Sequence, residues 1–245
     1  MRRSPPWILA TLLFCGAPAG PGSPFVTSVA AGDAPRDSVA EAPLAWSAIY
    51  ASRYSFQGLD YSEGRPVLQP QVSGSRQGIT LTAWGNVDQT RHQLNEIDLG
   101  LQGEWSLKRL SAGLGYARLW YPHRDWEATH EVFSELTLKA PLEPSLSVHW
   151  DVAAGLGRYW ALGVNRTIPW RGGSVGLASR LYIHYHYYGL TGIPALETGL
   201  SATTSWGSIS FQPTLSRLWT WGNGDFRGDQ AVRGGWVAGL LCSSR

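Results

Sequence analysis

The chain has 245 residues, room for one large β-domain or two small ones, and its formal net charge of +2 without a basic run argues against a nucleic-acid partner. Only 16% of residues are charged, whereas 29 are Gly and 13 are Trp. That mix excludes a mainly helical protein, in which Gly is costly and Ala, Leu, Glu and Lys dominate.

Residues 1–19 read as a secretory signal peptide. Arg2 and Arg3 form a positive n-region, residues 7–15 a short apolar core, and Ala17-Pro18-Ala19 a small-residue cleavage site. The apolar run falls far short of the ~20 residues a spanning helix needs. Removal of this leader leaves Cys242 as the single cysteine, so no disulfide framework is expected. Residues 20–43, rich in Pro, Gly, Ala and Ser and without hydrophobic period, are expected to be a flexible linker.

From Leu44 a two-residue period begins, the signature of half-buried strands. Trp46, Ala48, Tyr50, Ser52, Tyr54 and Phe56 are expected on one face, with Arg53 on the other. A turn over 60–66 and an arm over 67–75 follow; Gln77-Gly78 then turns into a strand carrying Ile79, Leu81 and Ala83. The clearest statement of the rule is 95–122. Ile97, Leu99, Leu101, Gly103 and Trp105 alternate with Glu96, Asp98, Gly100, Gln102 and Glu104. After a break at Leu107-Lys108-Arg109, Leu110, Ala112, Leu114, Tyr116 and Trp120 alternate with small residues. Each arm is about ten residues long, the length of a tilted strand that crosses a bilayer. The pattern returns over 131–139, 145–152, 159–167, 177–188, 196–204, 208–219 and 235–242, giving about twelve strands.

The breaks are short near Arg76, Lys108, Leu142, Gly172 and Trp206 and longer at 60–66, 88–94, 122–128, 189–194 and 220–233; only the break at 153–157 spoils the alternation. Short turns at one end and long loops at the other are what outer-membrane barrels show. Alternation alone does not say which face is inside. Three features point the apolar face toward lipid: the polar faces are rich in Gly, Ser, Thr and Gln, charges on the apolar faces such as Arg118 and Arg166 sit near strand ends, and Trp gathers at strand termini. The expected fold is therefore all-β: a single antiparallel transmembrane β-barrel over 44–242. Both termini lie on the side from which a secreted chain arrives.

Several segments, in order, resemble the TorF family of porin-like outer-membrane proteins. Ser52-Arg53-Tyr54-Ser55-Phe56-Gln57-Gly58 resembles that family's first strand. The likeness continues through Pro66-Val67-Leu68-Gln69, Trp84-Gly85-Asn86, Glu96-Ile97-Asp98, Tyr121-Pro122 and Glu131-Val132-Phe133. It implies an outer-membrane barrel with a channel role and supplies no catalytic residues. Barrels of this kind end on an aromatic residue read by the barrel-assembly machinery, and Leu241-Cys242-Ser243-Ser244-Arg245 departs from that pattern.

Lumen-facing candidates on this reading are Arg53, Glu96, Asp98, Glu104, Asp151, Arg180, His184 and His186. His184 and His186 are two apart and could pair on one strand face as metal ligands, but a third ligand at suitable spacing is not evident, so polar lumen residues are the expectation. His123, Asp125, Glu127, His130 and Glu131 cluster near a loop; solvated loop polarity is the simpler reading of them. Facing charges favour an ion-paired network that stiffens the interior over a pore lining, and either over acid–base catalysis. No nucleophile elbow, Walker loop or zincin motif is present. The sequence thus points to a passive conduit for small solutes in a bacterial outer membrane, with lipid as its surroundings and neither cofactor nor metal. The alternatives are a structural or adhesive barrel, marked by a lumen blocked with side chains, and a lipid- or lipopolysaccharide-modifying barrel enzyme.

Overall fold

A computed structural model describes residues 44–193, 195–221 and 234–244; the leader and linker expected over 1–43, and most of the loop expected over 220–233, lie outside these. The strands in chain order are β1 (Ala45–Ala51), β2 (Ser55–Phe56), β3 (Leu59–Asp60), β4 (Val67–Arg76), β5 (Ile79–Asp88), β6 (Gln93–Ser106), β7 (Leu110–Trp120) and β8 (Thr129–Leu138), followed by β9 (Ser145–Asp151), β10 (Arg158–Trp170), β11 (Gly173–Tyr187), β12 (Leu190–Gly192), β13 (Ala195–Trp206), β14 (Ile209–Thr220) and β15 (Gly235–Ser244). Leaving aside the short β2, β3 and β12, the remaining twelve pair antiparallel with their neighbours and close into a barrel. The seam is β1 against β15, with Ile49 opposite Leu241 and Ala51 opposite Gly239. Closure gives each of the twelve a hydrogen-bonded neighbour on both sides.

Turn chemistry sets the register. Gln77 and Gly78 connect β4 to β5 with φ of 53° and 79°, the pair of positive angles that lets a two-residue hairpin follow the strand twist. Gly78 makes the second angle free of strain. From this turn Arg76 pairs with Ile79 and Ser73 with Thr82, which fixes the face of every residue beyond it.

The apolar set points outward. Leu81, Leu99, Leu101, Leu114, Leu177 and Leu200 are exposed, whereas the alternate residues Thr80, Asp98, Gln102, Gln69 and Gln71 are buried. A soluble barrel has the opposite arrangement. Near the strand ends the outward face carries exposed Trp105, Trp150, Trp170, Trp206, Trp219 and Trp236.

One segment departs from the expected alternation. β1 stops at Ala51, so Tyr54 and Phe56 do not continue its outward face. Residues 53–62 turn into the barrel instead, where Tyr54 is 1% exposed and Leu59 is fully buried. Local bonds explain the turn. Asp60 Oδ1 accepts from the Ser62 backbone N–H, and Ser62 Oγ accepts from the Tyr54 N–H at 2.8 Å. β2 and β3 pair through Ser55–Asp60 and Phe56–Leu59, joined at Gln57 and Gly58 with φ of 55° and 82°. The result is a small hairpin inside a large barrel.

Candidate functional site

The interior is divided along its length. Toward the short turns the inward residues are small or polar and partly exposed, among them Ser111, Thr137, Ser145, Ser147, Asn165 and Ser201. Toward the long loops they are buried, because the inner hairpin fills that half. The interior is thus a polar cup narrowed at the long-loop end by the hairpin.

The hairpin is held from several walls. Gln57 Nε2 donates to Tyr187 Oη at 3.0 Å, and His184 Nε2 bonds the Gln57 carbonyl at 3.0 Å, both from β11. Phe56 meets Tyr159 of β10 edge-on at 6.1 Å, and Tyr54 packs against Trp84 of β5 at 5.7 Å. Arg124, in the β7–β8 loop, donates to the Tyr61 carbonyl, while Trp126 of that loop meets the Tyr61 ring at 6.1 Å. Gly58 lies against β13, the strand beside β11: a Cβ there would stand 2.7 Å from Ala195 Cβ.

Behind these contacts is a second row. Tyr187 Oη donates to Glu131 Oε1, and His149 Nδ1 lies 3.2 Å from Glu131 Oε2. The His149 ring is stacked between Phe133 at 5.2 Å and Tyr159 at 4.4 Å. Asp151 accepts from Thr129 Oγ1 at 2.7 Å and from the backbone N–H groups of Ala153 and Gly155, which shapes the β9–β10 connection. A separate group on the β11–β14 wall joins Tyr182 and Ser216 to the two Glu197 oxygens at 3.0 and 2.8 Å. Buried polar groups cost little only when they are partnered in this way.

At the base of the hairpin Arg65 Nε donates to Asp88 Oδ2 at 2.7 Å and Arg65 Nη1 to Glu63 Oε2 at 2.7 Å. The Arg65 hydrogen bond holds the Glu63 carboxyl below the usual carboxylate range. Burial raises the Tyr61 phenol well above its ordinary value, so it stays neutral.

The eight residues singled out from the sequence fall in different places. Glu96, Asp98, Glu104, Asp151, Arg180 and His184 lie at inward positions of the barrel strands, with Asp98 1% exposed and both of its oxygens without a hydrogen-bond partner among the described residues. Arg53 belongs to the infolded segment and not to a strand wall, 3.9 Å from Asp60. His186 does not share a face with His184. A register shift at Arg158/Tyr159 and a φ of 52° at His186 swing it to the exposed rim, where its N–H bonds Thr191 Oγ1. The loop cluster also separates, since Glu131 is inside while His130 is on the outward face beside Tyr116. Among the described residues no group of three or more His, Cys, Asp or Glu is placed to hold a metal ion.

What the sequence reading missed is the hairpin itself. Its signal was present in Gln57-Gly58 between Ser55-Phe56 and Leu59-Asp60, a turn pair flanked by two short arms.

No family model and no curated protein matches the chain. Among solved structures, the NanC porin in a rhombohedral crystal form superimposes with a TM-score of 0.54 at 11% identity, over 82% of this chain and 99% of that one. A porin refined at 1.8 Å resolution gives a TM-score of 0.34 at 14% identity, over 74% of this chain and 61% of that one. With its closed ring of twelve antiparallel strands matched over nearly the whole NanC chain, the protein has a porin-like β-barrel fold.

Proposed function

We propose that the protein is a barrel of the bacterial outer membrane that passes small solutes passively, narrowed at its long-loop end by the hairpin at 55–60. The observation that carries this reading is the sidedness of the wall, with exposed Leu and Trp outside and Gln, Thr, Ser and carboxylates inside. An apolar belt of that extent is stable only against hydrocarbon, and a polar cup is stable only when wet. Membership of the TorF family belongs to the same proposal and rests on the order of the motifs; the segment that resembles the family's first strand here forms the inner hairpin. The test is conductance in planar bilayers. Small steps are expected from the full chain, and several-fold larger ones when Gln57, Gly58 and Leu59 are replaced by a shorter link. Silence from both proteins overturns the conduit.

A second reading is favoured by the filled outer half of the interior: a structural or adhesive barrel whose long loops meet a partner. It differs in one measurable respect. Shortening the hairpin then changes stability without opening a conductance.

A further inference from the structure

The charges on the outward face have a single chemical form. The charged side chains at outward positions of the twelve barrel strands are Arg76, Arg118, Arg158, Arg166 and Arg217, and among the described residues no Asp, Glu or Lys shares that face. Three of these arginines stand at the long-loop end, each over the tryptophan two residues further along its strand. Arg118 lies 4.7 Å from the Trp120 ring, Arg158 5.3 Å from Trp160 and Arg217 5.0 Å from Trp219. Neighbouring strands add Tyr185 at 4.8 Å from Arg158 and Trp236 at 5.5 Å from Arg217.

The other end is built differently. Trp105, Trp170 and Trp206 are exposed there, and among the described residues neither Arg76 nor Arg166 lies over a ring; Arg166 is engaged by the Pro141 carbonyl at 2.8 Å. At the long-loop end no carboxylate ion-pairs with Arg118, Arg158 or Arg217 among the described residues. The three arginines are carried on β7, β10 and β14, with β7 and β14 each three strand steps from β10, or ~14 Å at ~4.8 Å per strand. They form an arc and not one pocket.

We propose that this arc binds the phosphate of anionic lipid headgroups in the leaflet at the long-loop end, one headgroup at each arginine; the inference rests on the membrane reading above. Stacking on tryptophan fixes each guanidinium flat against the wall and keeps its N–H fork free for phosphate oxygens. A lone cation on a lipid-facing wall is costly at mid-depth and nearly free at the interface, which is where these three stand. What makes them favourable there is an anionic layer of complementary charge. The opposite rim, with tryptophan anchors but no stacked arginine, lacks this selectivity.

The test uses the full chain in phosphatidylcholine vesicles containing a tenth phosphatidylglycerol, with retained lipid counted by native mass spectrometry and folding read from gel mobility before boiling. Phosphatidylglycerol is expected to be enriched roughly fivefold over its bulk share, the factor that one arginine at an anionic surface provides. The R118Q/R158Q/R217Q variant should fall to the bulk ratio and R76Q/R166Q should match the parent. R118K/R158K/R217K, which keeps the charges, should retain part of the preference and serves if the glutamine variant does not fold. A parent without enrichment, or equal loss from both glutamine variants, overturns the arc while leaving the membrane reading in place. Failure to insert into any vesicle overturns both.

Discussion

Gln57 and Tyr187 are 130 positions apart in the chain and hydrogen-bonded inside the barrel, the amide Nε2 donating to the phenol oxygen at 3.0 Å. The same phenol donates to Glu131, so one hydroxyl links the hairpin to the β8 wall. Replacing it with Tyr187→Phe strands a buried amide and a buried carboxylate oxygen, at about 1–3 kcal/mol for each unsatisfied group. The expected result is faster hydrogen exchange at 55–60 with the strand amides unchanged. Exchange that stays slow in the variant counts against the latch.

Gly58 combines a φ of 82° with a Cβ position 2.7 Å from Ala195 Cβ, so a side chain there is both strained and blocked. Gly58→Ala should move the hairpin off the β13 wall without unfolding the barrel, because the strand hydrogen bonds do not depend on it. Conductance is expected to rise and become noisier. The double variant Gly58→Ala with Ala195→Gly should recover part of the closed behaviour, since the facing methyl is gone while the strain remains. A double variant as noisy as Gly58→Ala would assign the effect to backbone strain alone.

The wall was legible from the sequence because period two is a local property: each residue's face follows from its neighbours. β4 through β8 fall where the alternation places them, whereas the rhythm of the connections holds only in part: the link expected to be long at 88–94 spans 89–92, and the one expected to be short near Leu142 spans 139–144. That the hairpin lies inside the barrel was not legible for the same reason. Tyr54 and Phe56 keep the alternation begun at Trp46, and nothing within six residues tells an aromatic side chain whether it meets lipid or Trp84 across a lumen. His186 was misplaced with His184 because a bulge shifts every later face by one, and positive φ at a histidine leaves no mark in composition.

Arg65 clamps the base of the hairpin to Asp88 and Glu63, and its pH response follows from Glu63. Arg65 holds that carboxyl below its ordinary value of 4.5. A group whose pKa is lowered on folding adds stability at pH above the unfolded value and loses it as the pH falls through the folded one. The clamp should therefore be unchanged from about pH 5 to 8 and weaken on acidification below about 4.5, with Glu63 contributing little because it is exposed. Glu63→Gln should flatten part of that acid response at small cost. Arg65→Ala should cost more, about 1–3 kcal/mol, because Asp88 is 1% exposed and loses its cation. Urea titration of the vesicle-inserted barrel at pH 7 and pH 4 separates the two.

Leu101 and Gly100 sit side by side in β6 on opposite faces, Leu101 outward and 45% exposed, Gly100 inward. If hydrocarbon lies outside, Leu101→Arg places a cation near mid-depth at a cost of about 2–4 kcal/mol, and Gly100→Ser places a hydroxyl in a wet cup at almost none. The space is available, since the nearest atom to a Cβ at Gly100 is 3.9 Å away, on Thr82. The comparison fixes the sidedness of the wall because a soluble barrel would reverse its logic: an arginine on a water-exposed face is tolerated. Refolding the two variants into phosphatidylcholine vesicles and measuring their urea midpoints decides between the cases. A Leu101→Arg barrel as stable as its parent would mean that the leucine face does not meet lipid.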